Sequence, residues 1–393
     1  MSARGQAVSA LSVTLAIQAF TSLAATTTSV LAPEIARDAG LSPTLIGVFV
    51  AMLYVGGMIA SLASGGFIER YGPIRISQVC VALCVAGLAL ITGPLWALIL
   101  APVIIGLGYG PITPASSQLL ARTASPSTMA LTFSIKQTGV PLGAALAGAL
   151  LPVIALNYGW RVAIFATASL GVVIALASQT MRAALDVGLT SEHRVSLQRL
   201  FSPLGVVMRH STLVELTLTG FVYAATQVCL LTFLVVYLNH EVGQTLVSAG
   251  LVLAAATVGG IVGRVSWGIV ADRWIAPRRM LGTLGIVAGA CSIVVATFNP
   301  AWPKAAEIAV CALFGMTAIG WNGVQLAEVA RHSPRGKAGA ITGASGFITF
   351  AGVVVGPPIF ALLAALTGSY AIGFVATGLV SVACGVWLLR RGI

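Results

Sequence analysis

The segment that decides the fold is Gly65-Gly66-Phe67-Ile68-Glu69-Arg70-Tyr71-Gly72-Pro73-Ile74-Arg75, a short polar loop between two long apolar stretches. About 205 residues further along the chain, a second segment reads Gly268-Ile269-Val270-Ala271-Asp272-Arg273 and continues to Pro277-Arg278-Arg279. Both segments place a glycine four residues before an acid-arginine pair, and both end in basic residues. Recurrence of this kind predicts two similar halves that form a parallel repeat.

A second pair of similar segments supports the repeat. Gln118-Leu119 is followed by Arg122 and Ser125-Pro126, and Gln325-Leu326 is followed in the same order by Arg331 and Ser333-Pro334. The similarity therefore extends well beyond one loop, and we expect the two halves to share the order of their helices.

The composition excludes an ordinary soluble domain. Of the 393 residues, 58% are hydrophobic and only 8% are charged, whereas soluble domains are typically about 25% charged. A bilayer core requires about 20 apolar residues per helix. Twelve stretches meet that length, at residues 9–31, 43–67, 76–94, 97–121, 129–152, 161–181, 212–238, 246–270, 280–298, 305–328, 338–362 and 369–389. Barrel strands are shorter and alternate in polarity. We therefore predict an all-α membrane protein with twelve transmembrane helices in two pseudo-symmetric six-helix bundles.

Basic residues set the predicted topology. If the N-terminus is cytoplasmic, 16 of the 21 basic residues fall on that side, and only Arg37, Arg161 and Lys304 fall in loops on the other. The cytoplasmic set is Arg4, Arg70, Arg75, Arg122, Arg182, Arg194, Arg199, Arg209, Arg273, Arg278, Arg279, Arg331, Arg335, Lys337, Arg390 and Arg391. The positive-inside rule thus predicts an inner membrane of bacterial type with both termini cytoplasmic. The net charge of +11 then indicates lipid headgroups rather than nucleic acid as partners.

The longest polar stretch runs from Arg182 to Arg209 and marks the middle of the chain. We predict an N-terminal bundle at residues 1–181, a cytoplasmic linker at 182–211 and a C-terminal bundle at 212–393. His193 in this linker is interpreted as a solvated loop residue, with pH sensing as the alternative.

Catalytic and cofactor patterns are missing from the sequence. The six cysteines lack metal-ligand spacing. The four histidines fall in or near loops, and no H-E-x-x-H, G-x-S-x-G or phosphate-binding G-x-x-x-x-G-K-[ST] pattern occurs. We predict neither an enzyme nor a cofactor, and no ATP-driven cycle.

The repeated loop resembles a motif of the major facilitator superfamily, and the likeness covers essentially the whole chain. The family pattern G-x-x-x-D-R-x-G-R-R is matched at Gly65, Arg70, Gly72 and Arg75, with Glu69 where aspartate is usual. Pro73 departs from the basic run. The second copy keeps Gly268, Asp272 and Arg273 but lacks the later glycine, and Gly139-Val140-Pro141-Leu142-Gly143 resembles a glycine motif of the fifth helix.

The resemblance implies a gating role for four charged residues, Glu69, Arg70, Asp272 and Arg273. A carboxylate and an arginine at a cytoplasmic helix end clamp a neighbouring helix terminus through its dipole and favour one access state. The alternative is that these residues are only interfacial anchors.

Two basic residues remain inside predicted spans, Lys136 in the fifth and Arg264 in the eighth. Both lie about 12 Å from the cytoplasmic end of their spans. The acidic residues do not obviously supply partners, because most fall in loops or at helix ends and Glu215 lies about one turn inside the seventh span. A buried charge costs at least a few kcal/mol without a partner or water.

We therefore predict that Lys136 and Arg264 bind an anion, Arg264 through its planar fork and Lys136 as a point charge. The resemblance implies that the fifth and eighth helices face each other, so both cations approach one cavity. An arginine on the eighth helix is similar to members that carry oxalate, monocarboxylates or nitrate, although the second cation that oxalate exchangers have on the eleventh helix is missing here. The alternative is that Arg264 caps carbonyls or pairs with an acid.

Polar and aromatic residues complete the predicted binding site. By resemblance, the first, fourth, seventh and tenth helices line the cavity, and each carries a glutamine here. The remaining predicted substrate-binding residues are Gln18, Tyr109, Gln118, Gln137, Tyr223, Gln227, Trp321, Asn322 and Gln325. Such groups orient a small polar ligand, or alternatively hydrogen-bond one helix to another.

These observations predict a secondary active transporter that moves a small, carboxylate-like organic anion by alternating access, as an anion exchanger or a proton symporter. Its expected partners are the anion, membrane lipid and protons, and a monomer is expected. The alternative is a proton-antiport exporter of drugs or metabolites, which in this superfamily usually carries a membrane-embedded acid. Another alternative, a channel, is disfavoured by the repeated halves.

Overall fold

The computed structural model describes residues 3–40, 46–187 and 201–390, and these residues form helices without any strand. The helices are α1 Ala3–Val30, α2 Ala32–Ala39, α3 Ile46–Tyr71, α4 Pro73–Ile91, α5 Leu95–Tyr109, α6 Ile112–Thr123, α7 Met129–Gln137, α8 Gly139–Tyr158, α9 Trp160–Leu185, α10 Ser202–Arg209, α11 Ser211–His240, α12 Leu246–Arg273, α13 Pro277–Val295, α14 Lys304–Ala318, α15 Asn322–Arg331, α16 Ala338–Thr367 and α17 Tyr370–Arg390. A short 3-10 turn, Pro126–Thr128, precedes α7.

Twelve helical segments of the described residues are long and apolar enough to cross a membrane, which confirms the predicted all-α membrane fold. Their bounds agree closely with the sequence prediction, and most extend a few residues further. The sixth span, predicted at 161–181, is observed at Trp160–Leu185. Three spans consist of two helices each, namely α5 with α6, α7 with α8, and α14 with α15.

Backbone proximity divides the chain into two compact units. The first contains the described parts of Met1–Ser125, Lys136–Leu213 and Val329–Phe347, and the second those of Pro126–Ile135, Val214–Glu328 and Ile348–Ile393. The division into bundles at 1–181 and 212–393 stays a prediction. In the predicted linker, α10 is helical, whereas residues 188–200 lie outside the described residues, and with them His193, Arg194 and Arg199. Arg391 and the side chain of Arg4 are also outside the described part of the chain.

Glycines permit close helix packing inside the first unit. A Cβ atom added to Gly106 of α5 would lie 2.1 Å from the Leu53 carbonyl oxygen of α3. Only glycine allows the two backbones to approach so closely, which is the packing that apolar helices use in lipid.

The second unit contains the same kind of close glycine contact between two helices. A Cβ atom added to Gly315 of α14 would lie 1.7 Å from the Ala256 carbonyl oxygen of α12. Since α12 and α14 belong to the eighth and tenth spans, and α3 and α5 to the second and fourth, the two contacts are equivalent positions of the internal repeat.

The breaks within spans have local causes. Pro141 has no N–H, so the helical bond from residue 141 to the Gln137 carbonyl cannot form, and α7 ends at Gln137 before α8 begins at Gly139. Pro111 similarly follows the end of α5 at Tyr109. The break between α14 and α15 has no proline and falls at Ile319 to Trp321, around Gly320.

Candidate functional site

Lys136 lies in the last turn of α7 and is only 1% exposed. Its ammonium donates hydrogen bonds to the Gln18 Oε1 at 2.6 Å, the Gln137 Oε1 at 2.9 Å and the Thr113 Oγ1 at 3.4 Å. The three oxygens come from α1, α7 and α6, all at or beside the helix breaks. Their partial negative charges and the C-terminal end of the α7 dipole stabilise the buried cation.

The α1 side chains that face this cluster are held in register by α8. The Ser22 Oγ, one turn after Gln18, donates to the Val140 carbonyl oxygen at 2.7 Å. A Cβ atom added to Gly139 would lie 3.0 Å from the Gln18 Cβ. Gln18 is itself only 1% exposed. The cluster of Lys136, Gln18, Gln137 and Thr113, which we call the lysine cluster, is therefore fixed from both sides of the α7–α8 break.

Arg264 lies on α12 in the second unit and is 2% exposed. Its Nε donates to the Ile319 carbonyl oxygen at 3.2 Å. Ile319 is the C-cap of α14, where helical carbonyls lose their internal partners. Part of the alternative interpretation, in which Arg264 caps carbonyls, is thus observed. This bond uses one of the five guanidinium N–H donors.

Two predicted binding residues meet directly beside this break. The Asn322 Nδ2 donates to the Gln227 Oε1 at 3.1 Å and lies 3.4 Å from the same Ile319 carbonyl oxygen that Arg264 contacts. Both side chains are half-buried. Arg264, Asn322 and Gln227 therefore form one polar group around the carbonyl of the α14 C-cap, Ile319, and we call this group the arginine cluster.

Aromatic rings flank the arginine cluster. Tyr223 and Trp321 pack edge to face with ring centroids 5.8 Å apart, and the Tyr223 hydroxyl donates to the Leu281 carbonyl oxygen at 2.8 Å. The Trp321 Nε1, in contrast, is buried without a hydrogen-bond partner among the described residues. A buried donor in that condition costs about 1–3 kcal/mol.

Three other predicted binding residues make contacts of their own. Gln118 donates to the Gly336 carbonyl oxygen at 2.6 Å and accepts from the Gly339 N–H at 2.7 Å, at the start of α16. Gln325 donates to the Leu216 carbonyl oxygen of α11 at 3.1 Å. Tyr109 packs edge to face on Tyr54. The amides of Gln118 and Gln325, repeat equivalents in sequence, thus both bind backbone, which favours the helix-to-helix role for this pair.

Asp272 is placed at a helix N-terminus. Its carboxylate accepts from the Ala130 N–H at 3.0 Å and the Leu131 N–H at 2.8 Å, in the first turn of α7. A carboxylate at this position satisfies unpaired N–H groups and complements the helix dipole. Arg273 is exposed at the end of α12. The gating role of Asp272 and Arg273 stays a prediction.

Ser134 of α7 packs against a glycine of α12 and a glycine of α15. Cβ atoms added to Gly268 and Gly323 would lie 2.7 Å and 2.2 Å from the Ser134 Oγ. The four-residue spacing from Gly268 to Asp272 therefore has a packing reason, because Gly268 lets α7 pack closely against α12 one turn before Asp272.

The first copy of the loop is built differently. Gly65 of α3 packs against Ala340 of α16, where an added Cβ would lie 2.6 Å from the alanine Cβ. Glu69 is half-buried, and the Arg70 guanidinium lies over the Tyr71 ring, 5.1 Å from its centroid.

The later glycine of the first loop makes room for an acid that the sequence interpretation did not single out. Asp186 accepts from the Ile74 and Arg75 N–H groups at 2.8 Å and 3.0 Å and so caps α4. Gly72, with φ of 91°, has no Cβ, and an added one would lie 2.4 Å from the Asp186 Cγ. Burial raises the pKa of the Asp186 carboxyl, while these N–H groups and nearby Arg182 oppose the rise. The second copy, where Ala276 precedes α13 without a side-chain cap, needs no glycine.

Sequence reasoning also missed how deeply some acids lie. Glu215, Glu307 and Glu328 are all buried. Glu215 pairs with Arg278, and Glu307 accepts from Lys304 and from Gln244. The sequence placed Glu307 and Glu328 in loops or at helix ends and Glu215 about one turn inside its span, whereas all three lie on helices within the packed region. Within the described residues, no group of three or more metal-ligating side chains occurs.

Lys136 and Arg264 belong to different units, so each cluster stands by itself here and their convergence on one cavity stays a prediction. What the clusters share is local. Each places a buried cation at the C-terminal end of a broken half-helix, beside carboxamide groups. Non-helical backbone at membrane depth is tolerated only where protein or a water-filled cavity surrounds it, and transporters use such breaks for ligand sites.

Comparisons with known proteins agree with this architecture. A family model described as Major Facilitator Superfamily matches residues 14–357. A hexuronate transporter of Bacillus subtilis (strain 168) is 21% identical over 388 residues, which cover 92% of this chain and 89% of the relative.

Solved structures share the fold at low identity. The E. coli fucose:proton symporter has a TM-score of 0.77 at 16% identity, with 98% of this chain and 99% of that chain covered. The human organic anion transporter MFSD10 has a TM-score of 0.78 at 15% identity, with 99% and 100% covered.

Proposed function

This chain belongs to the Major Facilitator Superfamily, and from that premise we propose that it carries a small organic anion of the carboxylate class by alternating access, as an anion exchanger or a proton symporter. The family membership itself makes the chain a multi-pass membrane transporter and not an enzyme. The proposal concerns the cargo, its coupling and the residues that bind it.

The observation that carries the proposal is the pair of buried cations. Lys136 and Arg264 are 1% and 2% exposed within apolar spans. Ionisable groups at such positions are costly and generally functional. The contacts described above place neutral amide, hydroxyl or carbonyl oxygens beside each cation, and these oxygens stabilise a positive charge without carrying a formal negative charge. An anion binds favourably beside such a cation.

The relatives support the same class of cargo. The curated relative is a hexuronate transporter and one solved neighbour is an organic anion transporter. A hexuronate combines a carboxylate with several hydroxyl groups. The guanidinium of Arg264 suits the carboxylate because of its planar fork, and the amides of Asn322 and Gln227 suit hydroxyl groups.

We further propose that the loop charges Glu69, Arg70, Asp272 and Arg273 control access. Support comes from Asp272, whose carboxylate joins α12 to the N-terminus of α7, the helix that carries Lys136. A change at one end of this short helix is therefore transmitted over about two turns to the lysine cluster.

The proposed location is an inner membrane of bacterial type with both termini cytoplasmic, and the proposed organisation is two six-helix bundles, 1–181 and 212–393, joined at 182–211. The clustering of basic residues in alternate loops supports this orientation. A single chain is proposed to be the transport unit, with membrane lipid around it and protons as the candidate coupling ion.

The proposal is tested with purified protein in proteoliposomes loaded with unlabelled carboxylate. We expect saturable counterflow of a radiolabelled carboxylate, with D-glucuronate, D-galacturonate, lactate and oxalate as the first panel. Arg264→Ala and Lys136→Ala should each lower the initial rate by about 100-fold, because removing a buried charged partner costs about 2–5 kcal/mol.

The matched control is Arg279→Ala, which removes an exposed arginine of α13 and should leave the rate unchanged. Full anion transport by both buried-cation variants would contradict the proposal. A pH gradient that drives uptake indicates symport, whereas dependence on internal anion alone indicates exchange. Efflux of neutral or cationic compounds against a proton gradient, without anion counterflow, would favour the exporter instead.

A further inference from the structure

The short helix α10 carries an exposed apolar stripe outside the twelve spans. Its two members, Phe201 and Met208, are 64% and 60% exposed. Phe201 has helical backbone angles at the N-cap of α10, and residues seven positions apart lie on one side of a helix. Both side chains therefore point in the same direction from α10. Grouped apolar side chains at a surface mark contact with a membrane or with another protein.

A different side of α10 is already in contact with protein. Val207 is buried and Leu204 is half-buried, and α10 packs against α3 within the first unit. This contact holds the helix in place. The stripe of Phe201 and Met208 lies beside the contact and not within it, so its partner has to come from outside the first unit.

The place of α10 in the chain brings it to the edge of the bilayer. The helix ends at Arg209, and the seventh span begins at Ser211. His210, between them, is extended, with φ of −108° and ψ of 108°, so α10 and the seventh span do not form one continuous helix. Because a helix of eight residues is only about 12 Å long, α10 as a whole stays close to the membrane surface at which the span begins.

Positive charge accompanies the stripe. Arg209 is exposed and, seven residues from the exposed Ser202, forms a polar side of α10 next to the apolar one. The sequence from residue 194 to 209 contains three basic residues and no acid, namely Arg194, Arg199 and Arg209. An apolar stripe beside a basic side is typical of helices that lie in the plane of the membrane interface, and basic groups there attract anionic headgroups.

We propose that α10 lies in the bilayer interface on the side of the linker, with Phe201 and Met208 among the upper acyl chains and Arg209 at the phosphate of an anionic lipid. The occupant of the apolar stripe is therefore the membrane that surrounds the transporter, and not another protein. The lipid-binding surface lies in a segment between two spans, and it is independent of the identity of the cargo and of its coupling.

The test places a fluorescent bimane label on Met208→Cys of the full-length protein in proteoliposomes of phosphatidylcholine and phosphatidylglycerol. The matched control is Ser202→Cys, on the polar side of the same helix. Five of the six native cysteines are buried and Cys384 is half-buried, so the native protein treated with the same label gives the background. Quenching by a nitroxide high on the acyl chain of a lipid reports contact with lipid, and quenching by acrylamide reports contact with water.

We expect the ratio of lipid quenching to acrylamide quenching to be about threefold higher at Met208→Cys than at Ser202→Cys, because an interfacial helix buries its apolar side about 5–10 Å into the boundary of headgroups and acyl chains. A label at Met208→Cys that acrylamide quenches as strongly as the control shows that the stripe faces water, which overturns the proposal. Protection from both quenchers shows that protein, such as a second copy of the chain, covers the stripe, and overturns it as well.

The headgroup contact is tested on the same Met208→Cys label by comparing nitroxide-labelled phosphatidylglycerol with nitroxide-labelled phosphatidylcholine. We expect stronger quenching by the anionic lipid, and we expect Arg209→Ala to reduce this preference about fivefold, because one basic residue near a charged membrane contributes about that factor. Arg209→Lys keeps the charge and should keep the preference, whereas high salt should screen it away. Equal quenching by the two lipids, or a preference that Arg209→Ala leaves unchanged, overturns the assignment of Arg209 to an anionic lipid.

Discussion

The lysine cluster and the arginine cluster each stabilise a buried cation in an apolar span, but they do so with different kinds of oxygen atom. Lys136 donates to side-chain oxygens of Gln18, Gln137 and Thr113, whereas the Arg264 Nε donates to a backbone carbonyl oxygen, that of Ile319. Side-chain oxygens exist only if the right residues converge. A backbone carbonyl is present whatever the residue, once the helix ends there.

The difference continues in the helix breaks that create the two clusters. The α7–α8 break follows from Pro141, which removes a helical hydrogen bond. The α14–α15 break surrounds Gly320, where no proline is present and the Trp267 ring packs closely, so that an added Cβ would lie 2.8 Å from its Cδ1. The lysine cluster therefore depends on a proline and on side chains that can change rotamer, whereas the arginine cluster depends on the geometry of the backbone around Gly320.

Exchange of the two cation types gives the largest predicted contrast. Arg264→Lys removes the Nε–H that binds the Ile319 carbonyl and the planar fork. We expect it to lower the counterflow rate by about 10–100-fold, because hydrogen bonds to charged groups are worth about 1.5–3 kcal/mol. Lys136→Arg keeps the positive charge, and the side chains around it can repack. We therefore expect this exchange to lower the counterflow rate only about fivefold.

The measurement is initial counterflow rate per amount of folded transporter, with Arg279→Lys as the exposed control. If Lys136→Arg is the more damaging exchange, the lysine cluster is the more rigid of the two and the comparison is reversed.

The fold could be predicted from the sequence because a lipid bilayer permits few kinds of backbone structure. Every backbone group in the bilayer must be satisfied internally, so a stretch of about 20 apolar residues is enough to predict a span. The two loop copies, with Glu69 and Asp272 before their arginines, indicated the repeat. The buried cations were equally visible, since Lys136 and Arg264 stand out in apolar surroundings.

The contacts of the candidate-site residues were harder to predict from the sequence. Thr113 lies in the first turn of α6, just after the α5–α6 break, and its hydrogen bond joins residues 23 positions apart, which no periodicity reveals. Gln118 and Gln325 resembled cavity residues by their position on the helix, but their amides bind backbone. Asp186 lies far from Gly72 in sequence, and its contact with α4 depends on the end of α9.

Helix capping provides a second, smaller contrast between the units. In the second unit a charged cap, Asp272, binds the first turn of α7, and in the first unit a neutral cap, Gln118, binds the start of α16. Because a carboxylate adds a charge–dipole contribution, Asp272→Ala should raise amide hydrogen exchange in residues 129–132 about tenfold, which corresponds to about 1.4 kcal/mol. Gln118→Ala should raise exchange at 338–341 about threefold.

Hydrogen exchange read by mass spectrometry checks both helix starts in one experiment. Asp272→Asn is the conservative control, because the amide keeps one oxygen acceptor and should recover part of the protection. Equal effects of the two alanine variants would show that the charge of Asp272 adds nothing beyond a hydrogen bond.

The smallest predicted effect distinguishes two tryptophans of the second unit. The Trp267 Nε1 donates to the Met316 carbonyl oxygen at 2.8 Å, whereas the Trp321 Nε1 is buried without a partner among the described residues. If the anion supplies the missing acceptor, Trp321→Phe should weaken carboxylate binding about fivefold, or about 1 kcal/mol. Trp267→Phe removes the same atom from a bond already made within the protein and should leave the dissociation constant within about twofold. Titration calorimetry on both variants decides the matter. A larger loss of affinity in Trp267→Phe would move the binding site away from the Tyr223–Trp321 pair and leave Arg264 with the backbone capping role alone.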